Sequence, residues 1–196
     1  ENSTDTVCKE YVAAAPGELM EFNGDVGDDF VTHLKKSGVQ VMIRCNFAEE
    51  PGMPEEVYDP EKIEDAGIMH ADIVVPDYDG GLPTAAGYRD ALELVEAMKL
   101  NEDFSADDED WKSSAVAIHC KGGFGRSIVL ACCLAIDFYD IPGEAMMGWV
   151  RVARPGALTS PIQEKFLMRM TGRSAIRRWA KLPCEEQRPS SPCCVM

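Results

Sequence analysis

The sequence predicts an α/β domain with a mainly parallel central sheet flanked by helices, and three observations carry that prediction. Short apolar segments rich in β-branched residues recur along the chain, as at 39–43 and 115–118. Longer segments of helical pattern separate them, and this alternation is typical of parallel sheets. The chain of 196 residues, 45% of them hydrophobic, is long enough to bury a sizeable core. We therefore expect a single domain over residues 1–180 and a flexible Pro- and Ser-rich tail over 181–196.

Turn and cap residues place the individual elements. The expected strands are 6–15, 19–22, 39–43, 68–75 and 115–118. The expected helices are 28–36, 84–100, 128–136, 142–151 and 160–170. Gly38 ends the first helix, Pro76 closes a strand, and Thr84 caps the next helix. Prolines predict loops and a helical turn or two over 51–60, and residues 101–110 form a strongly acidic loop.

The segment His119–Ser127, which reads His-Cys-Lys-Gly-Gly-Phe-Gly-Arg-Ser, joins a predicted strand to a predicted helix. This order directs backbone N–H groups and the positive end of the helix dipole to one point, where they bind an anion. Cys120 is expected to be a thiolate nucleophile there, and the planar guanidinium of Arg126 to grip two phosphoryl oxygens. The backbone N–H groups expected to bind phosphate belong to Lys121, Gly122, Gly123, Phe124, Gly125 and Arg126. The alternative, an ordinary turn with a buried cysteine, fits this context less well.

Charge and cysteine content narrow the class of protein. The net charge is −15, with the acidic residues concentrated in 1–110 and a basic remainder that contains the loop. This distribution favours an anionic substrate or membrane surface near the loop, and it disfavours nucleic acid. Eight cysteines without a secretory signal predict free thiols in a reducing compartment. No cofactor or metal site is expected.

The segment Cys193-Cys194-Val195-Met196 has the pattern of a C-a-a-X box and predicts farnesylation of Cys193. One lipid anchors a protein only marginally, so basic residues are expected to add a second membrane contact. The basic residues that precede the box are Arg173, Arg177, Arg178, Lys181 and Arg188. We therefore expect a cytoplasmic protein that is attached peripherally to the plasma membrane or an endomembrane.

The spacing Cys-x5-Arg within His119–Ser127 resembles the signature of the protein tyrosine phosphatase superfamily. Together with the C-terminal box, it resembles the phosphatases of regenerating liver, a branch of the dual-specificity phosphatases. Ile43-Arg44-Cys45, Pro76–Gly80 and Arg154–Ala157 are similar to segments of that branch. Val75 in place of Trp and Ser127 in place of Ala depart from it. The initial His-Cys-Lys is similar instead to inositol-lipid phosphatases, although Phe124 replaces their second loop lysine.

The resemblance implies the dual-specificity and tyrosine phosphatase fold and a reaction through a phosphocysteine on Cys120. Asp79, just before Gly80, fits the family's general acid better than Asp77. Ser127 is expected to donate a hydrogen bond to the departing thiolate, which predicts faster turnover than relatives with Ala. His119 is expected to order the loop through hydrogen bonds. His33 and His70 carry no signal beyond that of ordinary surface or core residues.

Cys45 and Cys120 each end a predicted strand. If those strands are neighbours, the two residues lie about 5 Å apart, within reach of a disulfide. The resemblance implies such a reversible disulfide, which protects the nucleophile from irreversible oxidation. An ordinary buried cysteine at position 45 is an equal alternative, and Cys132-Cys133 are expected to be core residues.

The sequence is compatible with two functions of different classes. The first is a membrane-attached phosphatase acting on phosphoprotein or phosphoinositide. The second is a slow or inactive phosphatase that binds a partner in its pocket, as the resemblance implies for magnesium-transport mediators. Arsenate reduction or sulfur transfer by a similar loop is disfavoured by the segments matched outside it.

Overall fold

The computed structural model describes residues 10–13, 19–22, 28–51, 58–77, 80–100 and 115–182. Its strands are β1 Glu10–Ala13, β2 Leu19–Phe22, β3 Val39–Arg44, β4 Met69–Asp72 and β5 Ala115–His119. Its helices are α1 Asp28–Lys36, α2 Pro60–Asp65, α3 Ala85–Leu100, α4 Arg126–Tyr139, α5 Gly143–Ala153, α6 Pro161–Met168 and α7 Arg173–Trp179.

A parallel sheet in the order β4-β3-β5 forms the centre of the described part, and β1 and β2 pair as a separate antiparallel hairpin. Because β3 lies in the middle, its side chains alternate between two apolar faces. Val41 and Ile43 belong to the larger core, whereas Met42 packs with Phe30 and Ile63 on the other face. The predicted α/β class and the mainly parallel sheet are confirmed.

Local capping explains where two of the helices, α2 and α3, begin. The side chain of Asp59 accepts a hydrogen bond from the backbone N–H of Glu61, and Pro60 occupies the first turn of α2. Thr84 Oγ1 accepts from the backbone N–H of Gly87, 3.0 Å away, as expected for a residue that caps α3. The tail from residue 183 and the acidic loop over 101–110 lie outside the described residues, so their predictions stay untested.

Two elements differ from their predictions. β4 covers only Met69–Asp72 of the expected 68–75, although Ile73 and Val75 still donate backbone hydrogen bonds to Arg44 and Cys45. The helix α7 was not expected. It is held by side chains distant in sequence: Arg177 Nε lies 2.8 Å from Asp137 Oδ1, on α4. Such a contact leaves no local pattern.

On the helix α7, two of the basic residues expected at a membrane make contacts within the domain. Arg173 donates to the backbone carbonyls of Asp137 and Phe138, and Arg177 pairs with the buried Asp137 carboxylate. Their side chains are still 40% and 53% exposed, so the predicted membrane contact stays a prediction. Within the described residues, no helix has both the length and the apolar character needed to cross a bilayer.

Candidate active site

The loop His119–Ser127 lies between the end of β5 and the start of α4, as the sequence predicts. Its turn places two hydrogen-bonding partners around one sulfur atom. The backbone N–H of Gly123 lies 3.2 Å from Cys120 Sγ, and Ser127 Oγ lies 3.3 Å from it. Gly123 has φ +64°, and a Cβ there would lie 2.9 Å from Arg154 Nη2, so the turn requires glycine. The loop thus has the hydrogen-bonding geometry that stabilises a thiolate.

Arg126, the first residue of α4, is held in a fixed position by a carboxylate that sequence reasoning missed. Its Nη1 and Nη2 lie 2.5 and 3.0 Å from the two carboxylate oxygens of Glu50. The side chains of Arg126 and Glu50 are only 4% and 10% exposed. Burial opposes the charged guanidinium, but the Glu50 bonds outweigh it and raise the pKa of Arg126. The same pair lowers the pKa of Glu50. Nothing in the segment Glu49-Glu50-Pro51 distinguishes this residue in the sequence.

The two candidate general acids differ in what the structure says of them. Asp79 lies outside the described residues, so its role stays a prediction. Asp77 is described, and its Oδ1 lies 3.5 Å from Nε of Arg126 with a side chain that is 77% exposed. Asp77, the second candidate for the general acid, therefore lies beside Arg126 of the loop and is open to solvent.

Cys45 lies directly beside the loop. Arg44 and His119 are register partners in the parallel pair β3–β5, and the backbone N–H of Cys45 donates to the carbonyl of His119 over 2.8 Å. Cys45 is fully buried, and both Cys45 and Cys120 are free thiols. Burial, with a smaller effect of Cys120, raises the pKa of Cys45. The structure thus brings the two cysteines to one edge of the sheet, and the disulfide stays a prediction.

Three further side chains support the loop. Lys121 Nζ donates to the carbonyl of Pro51. The buried Arg154 lies over the ring of Phe124, 4.4 Å from its centroid. The buried amide of Gln163 donates to the carbonyl of Gly81 at 3.2 Å and packs tightly against Gly125. Arg154 falls in a segment that the family resemblance identifies, whereas Gln163 carries no signal at the start of α6.

The remaining predicted residues lie elsewhere. Cys132 and Cys133 are fully buried in α4, and burial raises the pKa of Cys132 to about 12. They belong to the core, as expected. Cys193 lies outside the described residues. A partly exposed thiol beside a buried guanidinium at a helix N-terminus is suited to attack on a phosphoryl group and to holding the transferred group.

The chain is similar in sequence to known phosphatases. The chain is 28% identical over 144 residues to the human dual specificity protein phosphatase CDC14C, covering 74% of this chain and 27% of that protein. It is 26% identical over 144 residues to CDC14B of Mus musculus, covering 74% and 25%. The chain thus spans about a quarter of the length of these relatives. No protein-family model matches it.

The fold of the chain is similar to that of a solved structure. The structure of PTPMT1 in complex with PI(5)P superposes with a TM-score of 0.59 at 17% identity, covering 82% of this chain and 93% of that one. The predicted phosphatase fold is confirmed, and the chain is similar in sequence to dual-specificity phosphatases of the CDC14 group. The narrower resemblance to the phosphatases of regenerating liver stays a prediction.

Proposed function

We propose that this chain, a relative of the dual-specificity phosphatases, is a cysteine-dependent protein phosphatase that hydrolyses phosphomonoesters. The observation that carries the proposal is the pair of donors at Cys120 Sγ, from Gly123 and Ser127, beside the fixed guanidinium of Arg126. A buried cysteine with a purely structural role has no need of such neighbours.

The reaction follows from this arrangement in two steps. The Cys120 thiolate attacks phosphorus, the bond to the leaving oxygen breaks, and an aspartic acid protonates that oxygen. We assign this proton to Asp79, with Asp77 as the alternative. Water then attacks the phosphocysteine, the aspartate accepts its proton, and the thiolate departs with a hydrogen bond from Ser127. Arg126 and the loop N–H groups stabilise the charge on the equatorial oxygens in both steps.

Exposed apolar side chains around the loop favour a phosphoprotein substrate. Phe47, Phe124 and Ile162 are each 43–44% exposed. They lie on the segment that carries Glu50, on the loop itself, and at the start of α6 beside Gln163. Aromatic and aliphatic surface of this kind suits the ring of phosphotyrosine or an apolar neighbour of a phosphoresidue in a peptide.

A phosphoinositide is the second candidate substrate. Lys121 extends the resemblance of the loop to inositol-lipid phosphatases, and the PTPMT1 structure was determined with PI(5)P. One panel of phosphotyrosine, phosphoserine and phosphothreonine peptides beside monophosphorylated phosphoinositides separates the two classes. The protein proposal predicts kcat/KM highest for a peptide, and an inositol lipid at the head of the panel contradicts it.

The activity itself is tested with a small aryl phosphate. Cys120→Ala should abolish hydrolysis, whereas Cys132→Ala, which removes a thiol from the same region of the core, should retain turnover per folded molecule. Equal turnover in both variants contradicts the proposed nucleophile. A stable phosphocysteine with almost no steady-state turnover would instead favour the pocket-binding function, with a magnesium-transport mediator as the partner to assay.

We further propose lipid attachment at Cys193 and action at a cytoplasmic membrane surface, as in the regenerating-liver branch. The support is the pattern Cys193–Met196 together with Arg178 and Lys181, which are exposed and precede that segment in the sequence. Mass spectrometry of the protein purified from eukaryotic cells should find a farnesyl group that is absent from Cys193→Ser. An unmodified Cys193 contradicts the proposal.

We also propose that hydrogen peroxide joins Cys45 and Cys120. The peroxide oxidises Cys120 to a sulfenic acid and is itself reduced to water. The Cys45 thiol then attacks that sulfur, and an S–S bond forms as the hydroxyl group leaves with the thiol proton as water. The support is the adjacency of the two residues at the ends of β3 and β5. Peptide mapping after peroxide should find the crosslink in the wild type, and Cys45→Ser should be inactivated irreversibly. Reversible inactivation of that variant contradicts the proposal.

A further inference from the structure

Tyr58 connects two histidines that the sheet itself keeps apart. His70 lies on β4 and His119 on β5, with β3 between them. Neighbouring strands are about 4.8 Å apart, so the two backbones are separated by roughly 10 Å. Tyr58 Oη lies 2.9 Å from His70 Nε2 and 2.7 Å from His119 Nε2. One buried hydroxyl thus spans β3 and joins the loop histidine to a residue two strands away.

The hydrogen bonds of this bridge have one consistent proton order. The backbone of Cys120, directly after His119, favours a proton on the imidazole, and because Nε2 faces the Tyr58 hydroxyl we assign that proton to Nδ1. A neutral imidazole has one donor and one acceptor, so its Nε2 must accept from the hydroxyl of Tyr58. The single Tyr58 proton is then used, and the bond to His70 requires that His70 Nε2 donate.

The surroundings keep both rings neutral. Burial lowers the pKa of His119 to about 4, and burial also lowers the pKa of His70. The charged groups that act on them are Arg44, Asp72 and, for His70, Glu64. Arg44 is bound to the Asp72 carboxylate by two hydrogen bonds, of 2.5 and 2.7 Å, and lies over the Tyr58 ring. Because the charges of Arg44 and Asp72 largely cancel beside the histidines, the hydrogen bonds of Tyr58 determine which nitrogen of each ring is protonated.

We propose that His70 is a positioning residue for catalysis, which through Tyr58 fixes the tautomer and orientation of His119 and thereby holds the backbone of Cys120. The inference rests on the phosphatase function proposed above. In this order His70 donates to Tyr58, and Tyr58 donates to His119, the residue directly before the nucleophile. A fixed His119 ring therefore restrains the backbone from which the Cys120 side chain extends.

Kinetics on an aryl phosphate provide the first test. His70→Leu, which keeps the volume and removes the donor, should lower kcat/KM roughly tenfold and move the acidic limb of its pH profile to higher pH. His70→Gln, whose Nε2 also donates, should restore most of the activity and the wild-type profile. His33→Leu, on α1, is the control and should change neither. If the Gln and Leu variants are equally impaired, or both match the wild type, the proposal is wrong.

Nitrogen NMR of ¹⁵N-histidine-labelled protein tests the same inference without activity. The chain has only three histidines, so the spectrum can be assigned from single variants. His119 should be the Nδ1–H tautomer in the wild type and a mixture of tautomers in His70→Leu and Tyr58→Phe. Tyr58→Phe serves alone if His70→Leu does not fold. An unchanged His119 tautomer overturns the proposal, even if the protein proves to be an active phosphatase. An inactive wild type with the predicted tautomer refutes the proposed function alone.

Discussion

Single side chains around Cys120 have separable roles, and Ser127 offers the clearest one. Its buried hydroxyl lies 3.3 Å from the sulfur. Ser127→Ala should lower kcat by roughly 10- to 100-fold, since it removes one donor to a developing negative charge. Formation of the phosphocysteine should continue, so a burst of leaving group should precede slow turnover. Stopped-flow measurement of the aryl product distinguishes this outcome from a uniform loss without a burst, which would exclude Ser127 from the second step.

Glu50 is the residue-scale feature for which the sequence offers no signal. Its carboxylate holds both Nη atoms of Arg126, so Glu50→Ala should leave the guanidinium mobile and lower kcat/KM roughly tenfold, about 1.4 kcal/mol of transition-state stabilisation. Glu49→Ala removes the neighbouring, exposed carboxylate and is the matched control. Equal kinetics for the two variants would show that the ion pair does not position Arg126.

At the scale of elements, the start of α5 packs against the end of α6 without room for a side chain. A Cβ on Gly143 would lie 2.1 Å from the backbone oxygen of Leu167, whereas a Cβ on Gly148, in the same helix, meets nothing within 4 Å. Gly143→Ala should therefore lower the free energy of unfolding by about 2 kcal/mol or more. Gly148→Ala should raise it by up to about 1 kcal/mol, because alanine favours helix. Urea denaturation checks both, and similar values would contradict the packing described.

The sequence predicts those elements whose residue patterns lie within a short stretch of the chain. β3, the loop and the start of α4 follow from an apolar run, three glycines and a buried helix pattern, all within a few residues. α7, Glu50 and the bridge at Tyr58 depend on partners far along the chain. Asp137, on α4, binds Tyr88 of α3 as well as Arg177, and no spacing in the sequence indicates that three helices meet there. The nucleophile of the site could thus be predicted from the sequence, whereas the residues that hold the site in place could not.

For the whole molecule, the largely buried His119 side chain predicts a loss of folding stability in mild acid. Its folded pKa of about 4 lies below the ordinary histidine value near 6.5, so the folded state excludes a proton that the unfolded chain binds. This contribution is complete above pH 6.5 and is lost as the pH falls toward 4. The loss should be about 2 kcal/mol, because one pKa unit corresponds to about 1.4 kcal/mol and the ring is partly accessible to solvent.

Urea denaturation at several pH values between 7.5 and 4.5 measures this dependence. The variant His119→Gln, which keeps a side-chain amide but cannot titrate, should show a distinctly shallower slope over the same range. Arg126 and Arg44 lower the pKa values of the Glu50 and Asp72 carboxylates. Protonation of these two groups therefore reduces the stability of the folded state only at still lower pH. Identical slopes for wild type and variant would show that His119 is not buried as a neutral ring.

The most direct test of the central claim is to locate the phosphoryl group on the protein during turnover. Ser127→Ala protein mixed with an aryl phosphate, quenched in acid and digested should carry a phosphoryl group on the peptide that contains Cys120. We expect attachment at the Cys120 sulfur, seen by mass spectrometry and absent when Cys120→Ala is added to the same variant. Turnover of the wild type with the phosphoryl group on another residue, or with none trapped on Cys120, would contradict it.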